Sequence, residues 1–245
     1  MPEPLSVLDK QLEDFECLAR EYHRKKTLKI TDPKKLAKHQ EELDSCLAHL
    51  ESQRRDIDVQ AQIQEELEIY RKGNRPINNE CKQLRAARVA GLESEEYHPT
   101  DDLQKNMLAA GLASPDQYCS CHHIVPGHGR MTKDKVTGEQ SRSRNAIAAR
   151  TKLHQMGIGI NDADNGVWLP KGMTYVPHWA MEKALPHSRI HTKRYEAHIA
   201  SQLKNTSNEQ QARDALDRVR IGLQQGSLKH LLTDESQATY LQKTA

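Results

Sequence analysis

The sequence predicts a mainly α-helical protein carrying one small β-hairpin, and three observations lead there. Hydrophobic residues make up 36% of the 245, aromatic residues 4% with Phe15 the single phenylalanine, and charged residues 29%. That balance suits solvated helices and leaves little material for a thick central sheet. Through the first seventy or so residues, apolar side chains recur in steps of three and four, the period of a helix packed on one partner. Only two short stretches, one around CHHIVPG and one around VWL, are bounded by turn residues as strands are.

The first element runs through Leu5, Leu8, Leu12, Phe15, Ala19 and Tyr22. Thr31, Asp32 and Pro33 interrupt it, with Asp32 placed to cap a new helix and Pro33 at its first position. The second seam passes through Leu36, Leu43, Leu47, Leu50, Ile57 and Ala61 and ends at GNRP. Residues 1–75 thus read as an antiparallel helical hairpin or coiled coil whose alternating charges face solvent. His23, His39 and His49 have no partners at ligand spacing there, and Cys17 and Cys46 fit as small seam residues. With no chemistry of its own, this segment reads as a docking or delivery module.

Residues 76–99 form a linker helix through Leu84, Ala87 and Val89, and residues 100–230 carry the chemistry. Thr100 or Asp101 caps a helix with Leu103, Met107 and Leu108 that Gly111 stops. CHHIVPG is a strand turning out at Pro126 and Gly127, followed by a polar, basic loop to Ser143. A helix from Asn145 to Met156 closes at Gly157, and NGVWLP supplies a turn and a second strand, Val167 to Leu169. HSRIH then opens a helix on which His187 and His191 lie one turn apart on one face. A capping box of Thr206 and Glu209 starts a last helix, through Ala212, Leu216, Val219 and Leu223, that Gly226 ends. Residues 231–245 read as a frayed tail.

Charge is distributed unevenly. Residues 1–100 carry 17 basic against 20 acidic side chains, while residues 119–154 carry 7 against 2. The positive field therefore lies beside the paired histidines, where it would draw in a polyanion. Five scattered cysteines, with no secretory signal ahead of them, fit a reducing compartment. No apolar run approaches membrane length, so no membrane insertion is expected.

The chemistry-bearing residues are His122, His123, Asn165, His187 and His191. Three imidazoles can hold one divalent ion, a fourth can activate a water, and a carboxamide can orient that fourth ring. Neighbouring residues on a strand point to opposite sides, so His122 and His123 divide between the two tasks. A neutral imidazole near its ordinary pKa is suited to taking a proton from water.

A strand ending in paired histidines, a turn with asparagine, a second strand and a helix with HxxxH resembles the HNH and endonuclease VII superfamily of ββα-metal (His-Me finger) nucleases. Within it, the chain is most similar to the AHH family of bacterial toxin nucleases. The stretches CHHIVPG, ARTKLHQMGIGINDADNGVWLP and PHSRIHTKRYEAHIASQL carry the likeness, in the family's order, over roughly residues 103–226. The resemblance implies a ββα-metal nuclease core with His122, His187 and His191 as metal ligands, His123 as general base and Asn165 orienting it. Imidazole ligation suits Zn or Ni and tolerates Mg or Mn, so a divalent ion is expected without its identity, and the resemblance implies nonspecific cleavage of DNA, with RNA left open as a substrate. It further implies an interbacterial effector held in the producer's cytoplasm by an immunity protein. Delivery would be by a type VI-like secretion system, through an adaptor or spike component bound to residues 1–75, with action in the target cytoplasm. Arg144, Arg150 and Lys152 are the expected phosphate contacts.

Cys121 stands where the family has alanine, with Cys119 two before it; lacking a second cysteine pair, they do not complete a structural zinc site. His128 fits a loop, His154 a surface or packing position, and Trp168 the hairpin core. His178 and Trp179 are expected to line the groove. His198 lies too far along its helix to be a ligand. Two alternatives remain: a phage or housekeeping HNH endonuclease, and a noncatalytic zinc-stabilised nucleic-acid-binding module.

Overall fold

The computed structural model describes residues 6–127, 129, 131–133 and 140–244. It divides into two compact units, one of Met1–Glu66 with Ala109–Gly111 and the other of Leu67–Leu108 with Leu112–Ala245.

The first unit contains helix α1, Val7–Lys26, and most of helix α2, Pro33–Asn74. Ser6 and Asp9 form a reciprocal capping box at the start of α1. Asp32 takes the Lys34 amide at 2.9 Å with Pro33 just inside the helix, as the sequence predicts. The seam is only partly covered: Leu43 and Leu50 are buried, while Leu12, Leu36 and Leu47 are exposed.

In the second unit, helix α3, Lys82–Glu93, and helix α4, Asp101–Ala109, precede strand β1, Cys119–His123. Strands β2, Met131–Lys133, and β3, Gln140–Arg142, pair with each other. Helix α5, Arg144–Gln155, leads to strand β4, Gly166–Pro170. Helices α6, Lys193–Lys204, α7, Glu209–Gln224, and α8, Asp234–Thr244, complete the chain.

Strands β1 and β4 pair antiparallel, with His122 opposite Val167 and His123 opposite Gly166. Below this pair lies an apolar core that includes Ile124, Leu153, Leu169, Ile190, Ile199 and Leu216. Leu103, Met107 and Cys121 form a smaller cluster that Trp168 packs against. The Cys121 thiol lies 3.4 Å from the Met107 sulfur, so the residue replacing alanine acts as a small buried side chain.

Two expectations at the C-terminal end are corrected. Asn208 caps α7, its side chain accepting from the Gln211 amide, while the Thr206 hydroxyl donates to the Leu203 carbonyl. The frayed tail is instead a short 3₁₀ turn and α8. Leu231, Leu232 and Tyr240 are buried there, and the Tyr240 hydroxyl donates to the Lys183 carbonyl at 2.6 Å.

His154 on α5 is fully buried, and neither ring nitrogen has a hydrogen-bond partner among the described residues. Burial, with the Arg150 and Arg88 charges, holds its pKa down to about 4. A histidine that must stay neutral when folded but titrates normally when unfolded stabilises less as pH falls from about 6.5 to about 4. Relative to His154→Leu, the wild type should lose an extra ~2–3 kcal/mol between pH 7 and 4.5. Thermal melts at the two pH values measure this, and equal losses in both proteins would contradict it.

Candidate metal centre and base

The site is framed by the end of β1. Beyond His123 the Ile124 amide donates to the Asn165 carbonyl at 2.7 Å, and the Val125 amide to Asn165 Oδ1 at 2.8 Å. Asn165 Nδ2 in turn donates to the carbonyls of Val125 at 3.3 Å and Ile160 at 2.8 Å. The fully buried carboxamide thus clamps the backbone just after β1 to the loop ahead of β4, where each lost bond would strand a buried polar group at about 1–3 kcal/mol. This corrects the expectation that Asn165 touches the His123 ring: its hydrogen bonds go to main chain.

His122, His187 and His191 converge. Their ring centroids stand 5.1, 5.0 and 5.2 Å apart, a nearly equilateral triangle, with one nitrogen from each within 4.8 Å of the others. The last two do not lie on a common helix, as the spacing suggests. Residues 187–189 form a 3₁₀ turn. Thr192 then adopts extended backbone and caps α6 by accepting from the Tyr195 amide, so the helix starts after both histidines.

All three rings are held neutral. Burial drives His122 well below the ordinary value, helped by its histidine neighbours. Burial likewise brings His187 down to about 4 and lowers His191, against a raising effect of Glu196. The Tyr195 hydroxyl donates to the Ile124 carbonyl at 2.7 Å, which leaves its oxygen to accept from His122 Nε2 at 3.3 Å. The His122 lone pair is then on Nδ1, the tautomer choice that a ligating histidine commonly receives from such a partner. Three neutral imidazoles in mutual reach fit a borderline or first-row divalent ion.

His123 makes its ring contact elsewhere, its Nε2 lying 3.0 Å from Asn161 Oδ1. Burial lowers its pKa to about 4, with the His98 and Arg150 charges adding to the effect, so it is neutral at pH 7. Nothing local in the sequence distinguishes Asn161 from Asn165, which shares the same NDADN run. The only signal available was that two asparagines were present, and spacing could not rank them.

The loop carrying both asparagines is anchored by charge. Buried Asp162 receives Arg71 at 2.9 and 3.2 Å and Arg213 at 2.9 and 3.0 Å. Burial raises its pKa, but the two guanidiniums win and hold it below the usual carboxylate range. Arg220 donates to the carbonyls of Ala163, Asp164 and Gly166.

The other candidates disperse. Arg150 is 92% covered and donates to the carbonyls of Gly127 and Glu93 while lying over the Tyr97 ring. It braces the loop after β1, which removes it from the expected phosphate contacts; Arg144 is exposed and Lys152 half-buried. His128 lies outside the described residues, as does part of the basic loop. His198 faces His230 at 6.2 Å, away from the triangle. A cavity of about 1210 Å³ opens over the triangle, lined also by His123, Trp168, Lys171 and Glu196.

A second group, Asp116, Cys119 and His178, has ligand atoms equally close together. The His178 ring decides against an ion there. Its Nδ1 accepts from the Ala180 amide, so the proton sits on Nε2, pointing at Asp116 Oδ2 3.1 Å away. His178 is buried rather than groove-lining, and Trp179 is exposed with its indole N–H donating to Asp116.

Strand β1 supplies His122 and His123 and the segment ahead of α6 supplies His187 and His191, so a histidine triangle that could hold a metal ion and a separate neutral histidine face one cavity. Residues 103–223 match the AHH family, described as a nuclease family of the HNH/ENDO VII superfamily with conserved AHH, and this segment of the chain belongs to that family. The AHH motif itself reads Cys121, His122, His123 here. No curated protein and no solved structure matches the chain.

Proposed function

We propose that the second unit is a metal-dependent endonuclease that hydrolyses phosphodiester bonds of DNA without sequence preference. One observation carries this reading: three neutral imidazoles form a triangle while a fourth, His123, stays outside it with its own partner. A closed structural zinc site has no use for a spare base, which favours catalysis over a binding module.

His122, His187 and His191 would hold the ion. When bound, the ion supplies charge stabilisation for the scissile phosphate and the departing oxygen. His123, with its proton on Nε2, accepts a proton from water through Nδ1, and an anionic phosphate in the cavity raises its pKa towards the working range. Asn165 keeps the end of β1 rigid so that both histidines hold their places. Arg144 and Lys152 contact the phosphodiester backbone outside the cavity.

The test is supercoiled plasmid, and RNA in parallel, incubated with purified protein in Mg, Mn, Ni or Zn and with a chelator. Nicking and linearisation in at least one metal, lost under chelator, are expected. Absence of cleavage in every metal would sink the reading.

The resemblance to the AHH toxins extends the proposal to an interbacterial effector of a type VI-like system with a cognate immunity protein. Residues 1–75, as a helical hairpin without metal-ligand spacing, would bind the delivery machinery. No described helix is long and apolar enough to cross a membrane.

A further inference from the structure

The contacts of Asn161 continue away from His123. Its Nδ2 donates to Glu95 Oε1 at 3.0 Å and to the Glu96 carbonyl at 2.6 Å. A main-chain carbonyl can only accept, so the amide nitrogen faces Glu96 and the amide oxygen faces the histidine. That orientation requires the His123 proton to be on Nε2 and the lone pair on Nδ1.

Glu95 is the hub behind this amide. It accepts from Asn161, from the Tyr70 hydroxyl at 2.7 Å and, through Oε2, from the Ile160 amide at 3.2 Å. Burial raises the pKa of Glu95, and the hydrogen bonds it accepts from Tyr70, Asn161 and Ile160 oppose that rise. The Tyr70 phenol is raised too, chiefly by burial, and remains a donor. Gly159 permits the arrangement, since a Cβ there would collide with the Tyr70 hydroxyl and crowd Glu95. Tyr70, at the end of α2, and Glu95 both precede the segment matched by the family.

We propose that Glu95 is a positioning residue that, buttressed by Tyr70, locks the Asn161 carboxamide and thereby fixes the His123 proton on Nε2, presenting Nδ1 to water. This rests on the reading of His123 as the general base. Without Glu95, Asn161 keeps one acceptor but loses the side chain that also ties down the adjacent Ile160 amide. The loop can then rotate, and the ring is no longer held to one tautomer.

The test uses the full chain with saturating Mg or Mn, plasmid kinetics, and nitrogen-15 NMR of the His123 imidazole. Glu95→Ala should lower kcat about 10–100-fold with KM and metal affinity little changed, and should convert a single Nε2–H signal pattern into a tautomer mixture. Glu95→Gln can keep its acceptor oxygen towards Asn161 and Tyr70 but turns an NH2 towards the Ile160 amide, so kcat should fall less than in Glu95→Ala, by about 3–10-fold, with the Nε2–H tautomer still dominant. Should Glu95→Ala fail to fold, Asn161→Leu takes its place, with the same expected loss and mixture. In Glu95→Ala or Asn161→Leu, a fall in kcat with the tautomer unchanged, or an unchanged kcat, overturns the positioning role. His123→Ala serves as the separating control: if it cuts as well as wild type, the base assignment fails; if it is inactive while Glu95→Ala is fully active, only the positioning role fails.

Discussion

Replacing His123 with alanine is expected to lower kcat for plasmid cleavage by about 10²–10⁴-fold while the metal still binds, the usual weight of a positioned general base. The separation follows from geometry: His123 lies outside the triangle of His122, His187 and His191, and its ring bonds to Asn161. Being neutral at pH 7, it can accept a proton without first losing one. Calorimetric metal titration and single-turnover cleavage measure the two properties on the same sample. Free imidazole in the buffer should restore part of the lost rate, since the cavity that the ring leaves is open to solutes. If His123→Ala cuts within about tenfold of wild type, the base lies elsewhere, and His98, with its ring 6.3 Å from His123, is the first place to look.

Replacing His122 with alanine is expected to abolish both metal binding and every metal-dependent gain in stability. His122 is the most enclosed of the three clustered histidines, stands about equally far from the other two rings, and is the one held by Tyr195. An ion bound only by the folded state at a hundredfold excess over Kd contributes about 2.7 kcal/mol, which in a domain of this size lifts Tm by about 5–10 °C. The wild type should show that rise in thermal scans with and without metal, and His122→Ala should show none. The Asp116, Cys119 and His178 group gives no fallback, because the His178 proton points into it. Tight binding of one ion by His122→Ala would move the metal centre to another place.

The sequence reading and the structure part at instructive places. The strands CHHIVPG and VWL, the helix between them and the glycine stops at Gly111, Gly157 and Gly226 were legible because turn residues and apolar period are local signals. Those glycines take φ of +80, +79 and +71. The pairing of His187 with His191 was legible from their spacing and their convergence with His122 from the family likeness, but the helix expected to carry both is absent, because Thr192 caps α6 after them. Asn161, Glu95 and Tyr70 were invisible for a different reason. Each is an ordinary polar residue whose importance comes from partners far along the chain, and Arg150 misled for the same reason, its charge suggesting phosphate while its contacts are carbonyls.

The tie between Asn165 and Val125 has a consequence for the order in which competence appears. Helices close on near neighbours and form early, whereas the clamp joins the end of β1 to a turn some forty residues later, across an intervening strand pair and helix. His187, His191, Glu95 and Tyr70 must arrive from further segments still. A refolding chain therefore regains most of its helix before any of its chemistry, because loop closure comes before the long-range contacts that repay it. The proposed metal centre and base are thus completed by the last contacts made.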